Sequence, residues 1–221
     1  MFHILSRSFT YHECCHEGTD FDALASMFAV SKLYPGTRII IGGSVNRNVR
    51  RFLTLYGTFF DYSIEKELDW KSVKKIWVVD TSSPSRSGKA EELIQTGEVS
   101  FAVYDHHPET PDGLKGEQVV VQSTGACTTL LVELIKKQTL PLNSLEATLL
   151  ILGIYEDTGS LTFPTTTARD LQAAAFLIEH GAKLSAIPDY VNMQLTNEQR
   201  DVLKLMVNSL TVVEVNGIQV H

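Results

Sequence analysis

The sequence contains 221 residues, of which 43% are hydrophobic and 20% are charged, and its formal net charge at pH 7 is −7. This length allows one large domain, or one domain and part of another, with a substantial buried core. The negative charge argues against a broad surface for long duplex DNA, because such surfaces are usually basic. No window approaches the ~18 uninterrupted apolar residues of a membrane span, and the first ten residues are too mixed for a signal peptide.

The cysteine pattern indicates a reducing, cytoplasmic setting. There are three cysteines, so they cannot all be paired, and the neighbours Cys14 and Cys15 would be strained if bridged to each other. These two lie near His12 and His16, which raises the alternative of a thiolate metal site. No further Cys-x-x-Cys or Cys/His cluster completes such a site, so packing within a strand is the interpretation we favour for the cysteines.

The first half of the chain alternates between strand and helix patterns. Runs rich in β-branched and aromatic residues predict strands at 9–15, 37–41, 75–79, 99–104 and 117–122. Helices are predicted at 22–34, at 48–56 and in a short segment that ends near Gly97. The segment 58–70 is interpreted as a short strand and a surface loop. Strands that alternate with helices indicate βαβ units and a parallel sheet.

The second half is predicted to be mostly helical. Ser123-Thr124-Gly125 precedes a helix at 126–138, and a helix that opens at 165–170 ends near His180, with Gly181 as its C-cap. The run 149–155 is strand-like in composition, although the chain is predicted to become helical from Leu145 onward. A connecting helix is predicted at 197–210. Asn216-Gly217 then joins two short strand patterns, which predicts a β-hairpin.

The predicted fold is therefore α/β, with a mostly parallel sheet and helices on both faces. It is followed by a helical part and the start of a truncated second domain. The expected boundaries are a main domain at 1–190, a connecting helix at 191–210 and the start of an incomplete C-terminal domain at 211–221.

Acids and histidines follow four apolar runs. They are Asp105-His106-His107 after 99–104, Asp80 after 75–79, Glu156-Asp157 after 149–155, and His16 to Asp22 after the first strand. Ligands bind at the carboxyl ends of the strands in open α/β sheets. Carboxylate oxygens suit Mg²⁺ or Mn²⁺, and imidazole ligands move the preference toward transition metals. A lone acid at such a place would more often be a helix cap or part of an ion pair.

These segments resemble, in order, the four motifs of the DHH phosphoesterase superfamily, over about residues 10–190. The first motif is His16-x-x-x-Asp20-x-Asp22, the second Asp80, the third Asp105-His106-His107, and the fourth runs from Gly153 to Gly159. Segments 16–26 and 43–50 are most similar to the N-terminal DHH domain of bacterial tRNA nucleotidyltransferase/poly(A) polymerase-type fusions. The superfamily includes the single-strand exonuclease RecJ, nano-RNA and pAp phosphodiesterases, cyclic-dinucleotide phosphodiesterases, family II inorganic pyrophosphatases and exopolyphosphatase-like proteins.

The resemblance implies two divalent cations, Mn²⁺ in the first place and Mg²⁺ as the alternative. It assigns His16, Asp20 and Asp80 to one ion. To the other it assigns Asp22, Asp80, His106 and Asp157. A shared Asp80 would set the ions ~3.5–4 Å apart, the spacing of two-metal phosphoryl-transfer sites.

Two further residues of the third motif, together with Asp80, complete the catalytic set that the resemblance implies. His107 would face the substrate phosphate as a hydrogen-bond donor or leaving-group acid. Asp105 would orient an imidazole. Arg47 and Arg50 form a basic cluster that either binds the substrate phosphate or backbone or belongs to a solvated helix face.

We expect a metal-dependent phosphoesterase that hydrolyses phosphodiester bonds in short oligonucleotides or pAp-like nucleotides. One alternative is an inorganic pyrophosphatase or exopolyphosphatase. The other is a non-catalytic metal- and nucleic-acid-binding module of a fused tRNA nucleotidyltransferase. The expected substrate is a short oligonucleotide, a nucleotide or a polyphosphate. The expected protein partner is a second copy of the chain in a homodimer. In most members a smaller C-terminal domain closes over the metals, so we expect this chain to bind metal, whereas the resemblance leaves its turnover and its choice of substrate open.

Overall fold

A computed structural model of the chain describes residues 10–14, 19–42, 45–64, 66, 69–83, 90–109, 111–116, 118–191, 197–210, 213–215 and 218–220. The chain forms two compact units, Met1–Val191 and Asn192–His221. Among the described helices, none is both long enough and apolar enough to cross a lipid bilayer.

The first unit is built on a six-stranded parallel sheet. Its strands in chain order are β1 (Thr10–Cys14), β2 (Thr37–Ile41), β3 (Tyr62–Ile64), β4 (Lys75–Val79), β5 (Ser100–Asp105) and β6 (Gln118–Val121). Their spatial order is β3-β2-β1-β4-β5-β6. The chain therefore builds outward on one side of β1 and then returns to build outward on the other. Such a reversal opens a crevice at the carboxyl ends of the two central strands, here β1 and β4.

Helices cover both faces of this sheet, as the sequence predicted. The helices are α1 (Phe21–Leu33), α2 (Arg47–Tyr56), α3 (Ala90–Thr96), α4 (Cys127–Lys137), α5 (Ser144–Asp157), α6 (Ala168–Glu179) and α7 (Ile187–Tyr190). Alternate residues of β4 enter two different clusters. Trp77 belongs to the large core with α1, α4 and α5, whereas Ile76 belongs to a smaller core that Leu93 and Ile94 of α3 cover.

The strand-like run at 149–155 lies within α5 and is not a strand. Residues Ala147 to Ile154 of this helix are all buried, because α5 packs against α1, α4, α6 and α7. A helix that is enclosed on all sides has no polar face and so loses the periodicity by which helices are recognised. Its start is marked by a capping box between Asn143 and Glu146.

Gly153 allows α5 to approach α1 and α4 closely. A Cβ atom at this position would lie 2.7 Å from Thr128 Oγ1, 2.8 Å from Ala25 Cβ and 3.0 Å from the Phe21 carbonyl oxygen. We expect Gly153→Ala to lower the free energy of unfolding by ~1–3 kcal/mol through overpacking, which outweighs the gain of up to ~1 kcal/mol in helix propensity. Urea unfolding followed by circular dichroism measures this change, and a variant as stable as the parent would contradict it.

The second unit contains α8 (Asn197–Asn208) and the antiparallel strands β7 (Val213–Val215) and β8 (Ile218–Val220). The strands pair as the predicted hairpin requires, with Val215 opposite Ile218. The turn residues Asn216 and Gly217 lie outside the described residues. The assignment of 191–210 as a connecting helix and 211–221 as the start of a further domain stays a prediction.

Candidate metal site and active-site cleft

Four side chains from separate segments meet at the carboxyl edge of the sheet. Asp22 lies in the first turn of α1, Asp80 follows β4, His106 follows β5, and Asp157 is the last residue of α5. One potential ligand atom from each residue lies within 4.8 Å of the others. The fold thus brings together the four residues that the resemblance implies for one of the two ions.

The His106 ring occupies the centre of this cluster. Its Nε2 atom is 3.0 Å from Asp157 Oδ2, 3.3 Å from Asp80 Oδ1 and 3.8 Å from Asp22 Oδ2. Its Nδ1 atom is 3.1 Å from the carbonyl oxygen of Thr124. Because a carbonyl oxygen can only accept, Nδ1 carries a proton and donates it there, and Nε2 is the nitrogen that faces the acids.

Burial and mutual repulsion perturb the acids strongly. Burial first, and then the Asp157 charge, raises the pKa of Asp22 to about 7. Burial and the charge on Asp22 raise the pKa of Asp80 well above its ordinary value. Burial alone would lower the pKa of His106, but the carboxylates of Asp157 and Asp80 raise it to about 12. The cluster therefore concentrates negative charge that a cation would neutralise.

Asp80 is held in an unusual backbone conformation. Its φ angle is +60°, in the left-handed region that Asp tolerates better than most residues. The side chain is buried, and the contacts that His106 Nε2 makes to the acids at 3.0 and 3.3 Å lack hydrogen-bond geometry, so among the described residues neither Asp80 Oδ1 nor His106 Nε2 makes a hydrogen bond. Buried polar atoms without partners are costly. Their convergence fits a divalent cation, which would satisfy both atoms.

The two aspartates of the first motif also fix helix ends. Asp22 Oδ2 accepts a hydrogen bond from Cys127 N at 2.7 Å, and its Oδ1 accepts one from Thr128 N at 2.8 Å. The positive end of the α4 dipole thus stabilises the Asp22 carboxylate. Asp20 is the N-cap of α1 and accepts from Ala23 N at 2.9 Å. His16, which the sequence placed beside Asp20, lies outside the described residues.

Asp105 and His107 form a pair at the edge of the cluster. Asp105 Oδ1 accepts from His107 Nδ1 at 2.8 Å and from the His107 backbone amide at 3.1 Å. Although burial alone would raise it, the pKa of Asp105 is lowered by the hydrogen bond from the His107 ring. Asp105 itself is buried, whereas the His107 side chain is 44% exposed. His107 is thus accessible to a ligand while its ring stays anchored.

A cleft of about 580 Å³ opens next to this cluster. It is lined by His106, His107, Pro108, Glu109, Val121, Ser123, Thr124, Gly125, Asp157 and Thr165. The described lining does not include Arg47 or Arg50. Arg50 is exposed, lines a different pocket beside Leu53 and Tyr62, and donates to the Val45 carbonyl oxygen at 3.4 Å.

Sequence reasoning gave no role to two acids near the site, the half-buried Glu156 and the buried Asp170. Burial raises the pKa of Glu156 to about 7, and its carboxylate accepts a hydrogen bond from Phe21 N at the start of α1. Its place beside Asp157 was the available signal. Asp170 is fully buried behind the cleft, and its signal was the spacing Thr167-x-x-Asp170, which forms a capping box at the start of α6.

Comparison with curated proteins gives three relatives. The chain is 36% identical over 206 residues to the A-adding tRNA nucleotidyltransferase of Geobacter sulfurreducens, covering 93% of this chain and 23% of that protein. It is 36% identical over 204 residues to the protein of the same name from Aquifex aeolicus, covering 92% and 23%. It is 29% identical over 139 residues to the bifunctional oligoribonuclease and PAP phosphatase NrnA of Mycoplasma genitalium, covering 61% and 43%. The chain therefore spans about a quarter of the length of the first two relatives.

Solved structures share the fold. An exopolyphosphatase-related protein from Bacteroides fragilis matches with a TM-score of 0.71 and 13% identity, covering 93% of this chain and 62% of that one. A putative family II inorganic pyrophosphatase from Methanococcus jannaschii matches with a TM-score of 0.62 and 23% identity, covering 78% and 55%. The family model described as "DHH family, N-terminal domain" matches residues 14–154. The resemblance seen in the four motifs is thereby confirmed, and the chain belongs to the DHH family.

Proposed function

We propose that this chain is the DHH domain of a metal-dependent phosphoesterase that hydrolyses phosphodiester bonds in short oligonucleotides or pAp-like nucleotides by a two-metal mechanism. The observation that carries the proposal is the convergence of Asp22, Asp80, His106 and Asp157. The 29% identity to a protein named as an oligoribonuclease and PAP phosphatase supports the substrate class.

The donor set suits Mn²⁺, because three carboxylates favour a hard cation and one imidazole moves the preference toward a transition metal. Asp22, Asp80, His106 and Asp157 would hold one ion. Asp80 with Asp20, and with His16 from outside the described residues, would hold the second. When bound, the cations would polarise a phosphoryl oxygen and lower the pKa of an attacking water.

His107 is the residue of this chain best placed to handle the leaving group. Its Nδ1 proton is directed to Asp105, so its ring is fixed and its Nε2 atom remains for the substrate. The cleft volume of about 580 Å³ lies within the ~300–1,000 Å³ typical of small-molecule sites, which agrees with a nucleotide or short oligonucleotide.

A second candidate is a non-catalytic module that binds metal and nucleic acid within a tRNA nucleotidyltransferase. The 36% identity over 93% of this chain to a protein of that name favours it. Both candidates bind metal, so metal binding does not distinguish them. Turnover does, because only the phosphoesterase hydrolyses a substrate.

An assay panel distinguishes the candidates. The purified chain is stripped with a chelator, loaded with Mn²⁺, and offered bis-p-nitrophenyl phosphate, pAp, di- to pentanucleotides and pyrophosphate. We expect Mn²⁺-dependent hydrolysis of pAp and the short oligonucleotides. Hydrolysis of pyrophosphate alone would indicate a pyrophosphatase, and no turnover with calorimetrically bound Mn²⁺ would favour the binding module. Absence of Mn²⁺ binding would overturn both candidates.

A further inference from the structure

We propose that Asp170 is a positioning residue that fixes the His106 ring through the peptide group between Thr124 and Gly125. The inference rests on the proposed function in one respect, namely that His106 binds metal. Asp170 itself lies outside the metal cluster and is fully buried.

The Asp170 carboxylate joins three segments. Oδ1 accepts from the Thr129 hydroxyl of α4 at 2.6 Å. Oδ2 accepts from the backbone amide and the hydroxyl of Thr167, each at 2.7 Å. Gly125 N donates to Oδ2 at 2.9 Å and to Oδ1 at 3.1 Å. Both oxygens are thus satisfied by hydrogen bonds, as a buried carboxylate requires.

The contact to Gly125 reaches His106 through one planar group. The Gly125 N–H and the Thr124 C=O belong to the same peptide unit, which is trans, so the two bonds point in opposite directions. On one side the N–H binds Asp170, and on the other the C=O accepts from His106 Nδ1 at 3.1 Å. Rotation of this peptide plane would break both contacts. Asp170 therefore determines the orientation of the acceptor that holds the ring.

Gly125 is required for the approach of the carboxylate. A Cβ atom there would lie 2.5 Å from Thr158 Cγ2 and 2.8 Å from Asp170 Oδ2. Thr158 directly follows Asp157, a member of the metal cluster. The close packing around Gly125 thus fixes the position of two groups. One is the peptide group that orients His106, and the other is the segment that carries Asp157.

This arrangement determines which nitrogen of the His106 ring carries the proton. With Nδ1–H held by the Thr124 carbonyl, Nε2 is directed at Asp157 and Asp80. In metal sites, the group that holds the second nitrogen of a ligating histidine fixes the tautomer and the ring orientation, and its loss costs ~10–100-fold in metal affinity. We assign that effect here to Asp170, one peptide removed from the ring.

The test is Mn²⁺ affinity, measured by titration calorimetry on the 221-residue chain and three variants. Asp170→Ala should bind Mn²⁺ ~10–100-fold more weakly. Asp170→Asn should recover most of the affinity, because its oxygen can still accept from Gly125 and Thr167 while its amide faces the Thr129 hydroxyl.

Thr129→Val is the matched control, since it removes a hydrogen bond from the same carboxylate without touching the peptide, and should stay within about twofold of the parent. Parental affinity in Asp170→Ala, or an equal loss in Thr129→Val, overturns the proposal.

A measurement on the unmodified chain applies even where a variant fails to fold. In the Mg²⁺-saturated protein with ¹⁵N-labelled histidine, the nitrogen shifts of His106 should show a protonated Nδ1 and an unprotonated Nε2. The opposite tautomer overturns the proposal. If the chain binds Mn²⁺ but hydrolyses nothing, the proposed function fails while the affinity comparison still decides the role of Asp170.

Discussion

Replacement of Asp80 with alanine is expected to lower the Mn²⁺-dependent kcat/KM on the order of a thousandfold. Metal ions supply several kcal/mol of transition-state charge stabilisation, and each ~1.4 kcal/mol corresponds to a tenfold change in rate. Asp80 is the ligand that both proposed ions share, so its removal disrupts both. The measurement is steady-state hydrolysis of pAp and bis-p-nitrophenyl phosphate, with Mn²⁺ affinity determined in parallel.

Two variants accompany this experiment. Arg50→Ala should lose at most about tenfold, because its exposed side chain lies in another pocket and would only position substrate. Asp61→Ala is the matched control for removing an acid, because Asp61 is exposed and lies 3.6 Å from Arg38. It should retain parental activity. Comparable losses in Asp80→Ala and Arg50→Ala would mean that the site is misplaced.

The metal-free chain is expected to lose stability as the pH rises from about 4 to 7. The pKa of Asp22 is raised from 3.8 to about 7, so in this window the folded state keeps a proton that the unfolded chain releases, and stability falls with pH. The raised pKa of Glu156 acts in the same direction. At ~1.4 kcal/mol per pKa unit the Asp22 shift corresponds to about 4 kcal/mol, or about 10 °C in Tm for a chain of this size.

Thermal unfolding in chelator and in Mn²⁺ measures this effect. A ligand at a hundred times its Kd stabilises the folded state by ~2.7 kcal/mol, so Mn²⁺ should recover much of the loss at pH 7–8 and little at pH 4. The variant Asp22→Asn should show a shallower dependence of Tm on pH, because it has no proton to release. A metal-free Tm that rises between pH 4 and 7 would contradict the assigned shift.

Much of the fold could be predicted because most residues of β2, β4 and β5 are buried, which gives these strands continuous apolar runs. β2 and β4 begin and end where their apolar runs do, at 37–41 and 75–79. The composition of α5 was misleading for the same reason, since a helix enclosed in the core is as uniformly apolar as a central strand. α6 begins at Ala168, three residues after the predicted opening, because Thr167 is its N-cap.

The candidate site was predictable only in part. The identities of Asp22, Asp80, His106 and Asp157 follow from motifs at the ends of elements, and the fold brings them together. The positive φ angle of Asp80 cannot be predicted from the sequence around it. The tie between Asp170 and Gly125 spans 45 residues and depends on how α6 packs against α4. It is a tertiary contact that local pattern cannot reveal.

The left-handed backbone at Asp80 also restricts how this site can decay in evolution. Aspartate codons reach those of asparagine, glycine, alanine, valine, histidine, tyrosine and glutamate by one nucleotide change, and of these asparagine and glycine adopt a positive φ at the lowest cost. Valine, which is β-branched, is the least tolerated there. A duplicated gene released from selection for hydrolysis would therefore be expected to acquire Asp80→Asn or Asp80→Gly first, while its product still folds. Among the descendants of such duplications, either substitution would identify the copies that still fold but no longer hydrolyse a substrate.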